Sequence, residues 1–353
     1  MSESHIAIVG AGVIGAAWAA RFAMHGFDVR ISDPSTSTSR VVDEVMSNAR
    51  AAWADLDLPA GDEGRVTIVD SIADAVDGAM HVQESAPEDV ALKTGILAAI
   101  AEACPAETVI ASSTSGIRPS QLQTAIRHPE RLVVGHPFNP VYLLPLVEVV
   151  GGEATSTEAI AAAMATYRSV SMHPLHVRVE IDAFIADRLL EAVWREALWL
   201  IKDGITTVEE LDDIMRYGFG LRWAQMGLFQ TYRIAGGEAG MKHFMDQFGP
   251  CLTWPWTKLM DVPEYNDELV DLIVTQSDEQ TGDLTIRQLE RIRDDNLVAM
   301  MDALSKQNRG KGWGAGALHK DYVKRLEKAS KGGKASKTAE KAKAEKPKKK
   351  KKG

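Results

Sequence analysis

The hydrophobic pattern changes character once along the chain. Up to about residue 180, short runs of Ile, Val, Leu and Ala, bounded by Gly, Pro, Asp or Ser, alternate with longer stretches of helical spacing. His5–Gly10, Asp28–Ser32, Val66–Val69, Met80–Gln83, Val109–Ser112, Leu132–Val134, Leu146–Val150 and Leu175–Val179 read as strands. Val13–His25, Pro34–Leu56, Ile72–Val76, Glu88–Ala103 and Glu158–Val170 read as helices between them. Such alternation predicts an α/β fold built on a Rossmann-like, doubly wound parallel sheet.

From Ala183 onward the pattern is helical: Ala183–Lys202, Thr207–Tyr217, Trp223–Ala235, Gly240–Phe248, Asp267–Thr275 and Thr285–Lys306. On the first of these, Ile185, Leu189, Val193 and Ile201 share a face, and Asp187, Glu191, Trp194 and Leu198 another. The change predicts a dinucleotide-binding domain over 1–180, an all-helical domain over 181–320 and a basic tail over 321–353. The tail is almost entirely Lys, Ala, Ser, Gly and Glu, which cannot bury a core, so disorder is expected there.

Charge sharpens this division. The net charge is -9, yet from Lys328 to the end twelve lysines face only Glu340 and Glu345, so the body before them is strongly acidic. An acidic body does not suggest nucleic acid as a partner. Two cysteines, Cys104 and Cys251, give neither a disulfide framework nor metal-ligand spacing; no metal and a reducing, cytoplasmic setting are expected. No apolar run approaches the ~20 residues of a membrane helix, and the N-terminus lacks a signal-peptide pattern.

Two stretches carry chemistry. Gly10-Ala11-Gly12-Val13-Ile14-Gly15 follows the first strand and opens the first helix, and Asp33 ends the second strand. In that setting the glycines allow a tight turn, close approach of a pyrophosphate and close helix packing. Asp33 would accept hydrogen bonds from the adenosine ribose and repel a 2′-phosphate, which predicts NAD rather than NADP. The second stretch is Gly135–Gly152, where His136 leaves an apolar strand and Glu148 lies in the next one. A histidine so held can take a proton near neutral pH, and a carboxylate can fix its tautomer. Taken alone, His136 reads better as a buried histidine bonded to a carbonyl.

Further motifs remove that ambiguity. Ser112-Ser113-Thr114-Ser115, then His136-Pro137-Phe138-Asn139-Pro140, then Leu146-Val147-Glu148-Val149 resemble the 3-hydroxyacyl-CoA dehydrogenase family, and the likeness runs from about residue 5 to about 320. It implies that His136 is the catalytic base, that Glu148 orients it, and that Ser115 binds the substrate oxygen. It implies that Asn139 lies between cofactor and substrate, and that Glu88 and Lys93 line the nicotinamide side. It also implies a homodimer formed through the helical domain. A protein that binds the dinucleotide without turnover is the alternative class, and the complete set Ser115, His136, Asn139 and Glu148 argues against it.

Departures from the acyl-CoA members bear on the substrate. Asp187 stands where the family carries asparagine, and no lysine precedes Lys93, so the basic helix expected to clamp a CoA phosphate is missing. Eight tryptophans accompany the acidic residues. Aromatic faces with unpaired acid suit a quaternary ammonium, at up to ~2 kcal/mol per desolvated contact, although core packing explains most tryptophans singly. A small 3-hydroxy acid carrying such a cation is therefore expected. Trp223 would meet its cation and Arg222 its carboxylate, with Asp187 as the alternative counter-charge. The gulonate 3-dehydrogenase and lambda-crystallin branch, also acting on a free 3-hydroxy acid, is the nearest competing reading.

Overall fold

A computed structural model describes residues 5–56, 61–236, 240–249, 251, 254–259, 266–268, 271–272, 275, 282–284, 286–306 and 318–328. Contacts divide the chain into two compact units. The first takes in the described residues up to Glu180 together with Leu297–Lys306 and 318–328; the second takes in those of Ile181–Asn296.

The first unit is built on an eight-stranded sheet of order β3-β2-β1-β4-β5-β6-β7-β8. The strands are β1 (His5–Val9), β2 (Val29–Ser32), β3 (Val66–Val69), β4 (Ala79–Glu84), β5 (Val109–Ser112), β6 (Leu132–Pro137), β7 (Leu146–Gly151) and β8 (His173–Val177). β1 to β6 pair in parallel. The expected parallel sheet needs one correction: β7 runs antiparallel to β6, and β8 runs parallel to β7. The cause is the link 138–145, which is shorter than the dozen or more residues of a parallel crossover.

Helices α1 (Val13–Met24), α2 (Thr38–Asp55), α3 (Ile72–Val76), α4 (Val90–Ala103), α5 (Pro119–Leu122) and α6 (Thr157–Ser169) surround the sheet. Ile6 and Ile8 of β1 belong to one core with Trp18, Phe22, Val42, Met46 and Tyr167. Ala7 and Val9 belong to the other, with Val76, Leu97, Ile100 and Ile110. This period of two shows β1 buried on both faces, and each large aliphatic side chain so buried contributes about 1.5–3 kcal/mol.

Local chemistry sets the helix starts. α4 begins at Val90 rather than Glu88 because the Asp89 carboxylate accepts from Leu92 N at 2.7 Å. α2 begins at Thr38 rather than Pro34 because Ser35 N and Thr38 Oγ1 donate to the Asp33 carboxylate, at 2.8 and 2.9 Å, and hold a turn before it.

The second unit is helical: α7 (Ala186–Lys202), α8 (Val208–Ile214), α9 (Gly220–Ala235), α10 (Gly240–Phe248) and the first part of the helix Ile286–Lys306. Thr207 and Glu210 form a reciprocal cap on α8, with Glu210 N donating to Thr207 Oγ1 at 3.2 Å and Thr207 N to Glu210 Oε2 at 3.0 Å. Between α8 and α9 the chain widens into a π-turn, Met215–Phe219, with Gly218 outside helical φ/ψ. Of the helix expected over Asp267–Thr275, residues 267, 268, 271, 272 and 275 are described and are helical; the other four lie outside the described residues.

Two expectations change at the C-terminus. Leu297–Lys306 groups with the first unit instead of the helical one. The tail expected over 321–353 begins too early, because 318–328 is helical and Tyr322 is buried. Its ring lies 4.5 Å from that of His25 and 5.5 Å from that of Trp53, centroid to centroid, and helps to anchor this segment. The lysine-rich remainder from 329 lies outside the described residues.

Candidate active site

The glycine turn joins β1 to α1. Gly10 has φ +90°, and a Cβ there would meet Ser85 C and Ala86 N at 2.8 and 2.9 Å, so only glycine fits. A Cβ on Gly15 would overlap the Gly10 carbonyl oxygen. A Cβ on Gly12, by contrast, would meet nothing within 4 Å. Gly12 is the N-cap of α1, which has no side-chain cap and no acid in its first turn. Its first N–H groups therefore face open space suited to a pyrophosphate. Ala11 N donates to Asp33 Oδ2 at 2.6 Å, and with Ser35 N and Thr38 Oγ1 this fixes the carboxylate at the end of β2. Val13 and Ile14 open α1, with Val13 exposed. These residues fit the adenosine and pyrophosphate of NAD.

Beside the turn, β4 and β5 end in linked loops. Glu84, fully buried, accepts from Lys93 Nζ at 3.0 Å, from Ala86 N at 2.6 Å and from Ser112 Oγ at 2.5 Å. Lys93 is buried as well and donates also to Ala86 O at 2.9 Å. The Lys93 ammonium is turned toward Glu84 and the Ala86 carbonyl and holds the β4–α4 loop. Glu88 is half-exposed and reaches Lys93 Nζ at 3.6 Å. Its Oε1 accepts from the Thr114 hydroxyl, from Ser115 N at 3.1 Å and from Gly116 N at 3.3 Å. Glu88 thus shapes the turn that displays Ser115, which is exposed.

The antiparallel β6–β7 pair places His136 directly opposite Glu148. His136 Nδ1 and Glu148 Oε2 lie 3.0 Å apart, both side chains buried. A carboxylate accepting from Nδ1–H leaves Nε2 as the proton acceptor. His136 packs against Phe138, ring centroids 5.0 Å apart, and Asn139 follows, exposed, before Pro140.

Beneath this pair lies a polar group that sequence reasoning missed. Gln83 is fully buried; its Oε1 accepts from the Tyr167 hydroxyl at 2.7 Å, and its Nε2 donates to Ser113 Oγ at 2.8 Å and Gly135 O at 3.4 Å. A Cβ on Gly135 would overlap the Tyr167 hydroxyl. The available signal was Gln83-Glu84, two polar residues closing a strand that is buried from His81 onward.

The remaining expected residues belong to the second unit. Asp187 lies in the first turn of α7, and Arg222 and Trp223 in the first turn of α9. Trp223 packs on Phe219 with ring centroids 4.6 Å apart, and Arg222 is exposed. Trp199 stands under two of the chain's own cations, Lys258 and Lys202, at 4.4 and 4.9 Å. No group of metal-ligating side chains occurs among the described residues, and no described helix is long and apolar enough to cross a membrane.

Residues 5–181 match the 3-hydroxyacyl-CoA dehydrogenase NAD binding domain, and residues 184–261 match the C-terminal domain of the same family. The chain is 66% identical to an L-carnitine dehydrogenase of Mesorhizobium japonicum, over 91% of this chain and 89% of that one. It is 59% identical to the L-carnitine dehydrogenase/betainyl-CoA thioesterase of Ruegeria pomeroyi, over 88% of this chain but 63% of that longer one. The solved structure of an NAD+-dependent 5-formyl-3-hydroxy-2-methylpyridine 4-carboxylic acid 5-dehydrogenase superposes with a TM-score of 0.73 at 28% identity, over 86% of this chain and 99% of that one. The chain belongs to the 3-hydroxyacyl-CoA dehydrogenase family and is an NAD-dependent dehydrogenase.

Proposed function

We propose that this enzyme oxidises the 3-hydroxyl of L-carnitine to 3-dehydrocarnitine, with His136 as general base. The observation that carries the substrate is the 66% identity to an L-carnitine dehydrogenase across nearly the whole chain. Carnitine bears its hydroxyl β to a carboxylate, as a 3-hydroxyacyl group does, so one base-and-cofactor arrangement serves both.

Bound NAD+ supplies the acceptor for the hydride leaving C3. Nε2 of His136 takes the hydroxyl proton as the carbonyl forms. Glu148 keeps the opposite ring nitrogen protonated and offsets the charge of the imidazolium; general-base action of this kind is worth about 10²–10⁴-fold. Ser115 holds the substrate oxygen, and Asn139 stands between substrate and nicotinamide. Trp223 offers an aromatic face to the trimethylammonium, which has no N–H to donate. Arg222 answers the carboxylate, and Asp187 is the alternative counter-charge for the cation.

A homodimer formed through the helical unit is part of the same reading. The exposed Leu189, Leu190 and Trp194 of α7 support it, and sedimentation velocity tests it. The substrate is tested by initial rates on L-carnitine, L-gulonate and 3-hydroxybutyryl-CoA, each with NAD+ and NADP+. The expected outcome is turnover of L-carnitine with NAD+; activity confined to gulonate would move the enzyme to the competing branch.

A further inference from the structure

The hydrogen bonds around Ser113 leave one proton unassigned. Three groups meet Ser113 Oγ: Gln83 Nε2 at 2.8 Å, Ser85 Oγ at 2.9 Å and Trp18 Nε1 at 3.1 Å. The indole N–H can only donate. The Gln83 amide is oriented from both ends, because its oxygen receives the Tyr167 hydroxyl and its nitrogen faces the Gly135 carbonyl oxygen. It too donates to Ser113. A hydroxyl has two lone pairs and one hydrogen. With both lone pairs occupied, the Ser113 hydrogen goes to its third neighbour, Ser85 Oγ.

Ser85 is thereby an acceptor, and its own O–H remains to be placed. Ser113 is the one partner of this hydroxyl among the described residues. Ser85 is half-buried and packs against the dinucleotide turn: a Cβ on Gly10 would meet its carbonyl carbon at 2.8 Å, and one on Gly15 its Cβ at 3.2 Å.

We propose that Ser85 is a cofactor ligand whose hydroxyl donates to an oxygen of the bound dinucleotide, with Ser113 as the positioning residue that turns it there. The relay is directional: Tyr167 to Gln83, Gln83 to Ser113, Ser113 to Ser85, Ser85 to NAD. Trp18, on the helix opened by the glycine turn, secures it from the other side. The proposal rests on NAD binding and not on which alcohol is oxidised.

The test is equilibrium binding of NADH and of ADP to the full chain, with no alcohol present. Ser85→Ala, which removes one oxygen and adds nothing, is expected to weaken NADH roughly three- to tenfold. An equal loss for ADP assigns the acceptor to the pyrophosphate; a loss confined to NADH assigns it to the nicotinamide-side ribose. Ser113→Ala is expected to weaken NADH in the wild-type background and to add nothing in the Ser85→Ala background. Unchanged NADH affinity in Ser85→Ala, or a full additive loss in the double variant, overturns the proposal.

Discussion

His136 and Glu148 face each other across an antiparallel strand pair, with Nδ1 and Oε2 3.0 Å apart and both side chains buried. The register leaves the imidazole little freedom. A shift of one residue would send Glu148 to the opposite side of the sheet. Glu148→Gln keeps the shape but removes the charge, and its amide can present a donor to Nδ1. The expected result is a fall in kcat of about 10²–10⁴-fold with NADH affinity retained. An unchanged kcat would mean that Glu148 only packs.

Asp33 has two duties, since it accepts from Ala11 N at 2.6 Å and stands where an adenosine ribose is recognised. Asp33→Ser with Pro34→Arg keeps an acceptor for Ala11 and exchanges a negative charge for a positive one. The ratio of kcat/KM for NADP+ to that for NAD+ is expected to rise at least about tenfold, the equivalent of ~1.4 kcal/mol. Equal use of both cofactors by the wild type would contradict this account of Asp33.

Trp223 tests the cation site. Its ring is braced by Phe219 at 4.6 Å, so removing it should leave α9 in place. Trp223→Ala is expected to raise the KM for L-carnitine roughly five- to thirtyfold, the equivalent of a ~1–2 kcal/mol aromatic–cation contact, with little change in the KM for NAD+. Unchanged carnitine kinetics would place the cage elsewhere.

Acid stability follows from His81. This ring is fully buried with Nδ1 unpaired among the described residues, and burial holds its pKa down at about 4. The unfolded chain takes the proton near pH 6.5 while the folded protein refuses it. Stability is therefore complete above that pH and is lost as pH falls toward 4, by roughly 3 kcal/mol. His25, lowered by its own burial, acts with the same sign. His81→Leu is expected to flatten this part of the profile when urea midpoints are compared at pH 7 and pH 5. An identical slope in the variant would show that His81 is protonated in the fold.

Much of this was legible before the fold. The glycine turn, Asp33, and the spacing of Ser115, His136 and Glu148 are local signals, because a strand, a turn and a helix start each follow from neighbouring residues. The reversal of β7 was not read, although the helix-free link 138–145 implies it. The resemblance alone sets Lys93 on the nicotinamide side, whereas its local pattern reads as a solvated helix face. Its partner Glu84 becomes visible only when the β4–α4 loop folds back. Tyr322 was lost in a stretch whose composition suggested disorder, and its anchor Trp53 lies far away in sequence. The Tyr167–Gln83–Ser113 relay joins α6, β4 and the loop after β5 and has no local signature.

The most direct measurement compares NADH formation from L-carnitine by the wild type and by His136→Gln, with NADH affinity determined for both. The wild type is expected to turn over L-carnitine with NAD+. His136→Gln is expected to lose about 10²–10⁴-fold in kcat while binding NADH as the wild type does. No NADH from L-carnitine with the wild type, or an undiminished rate in His136→Gln, would contradict the account.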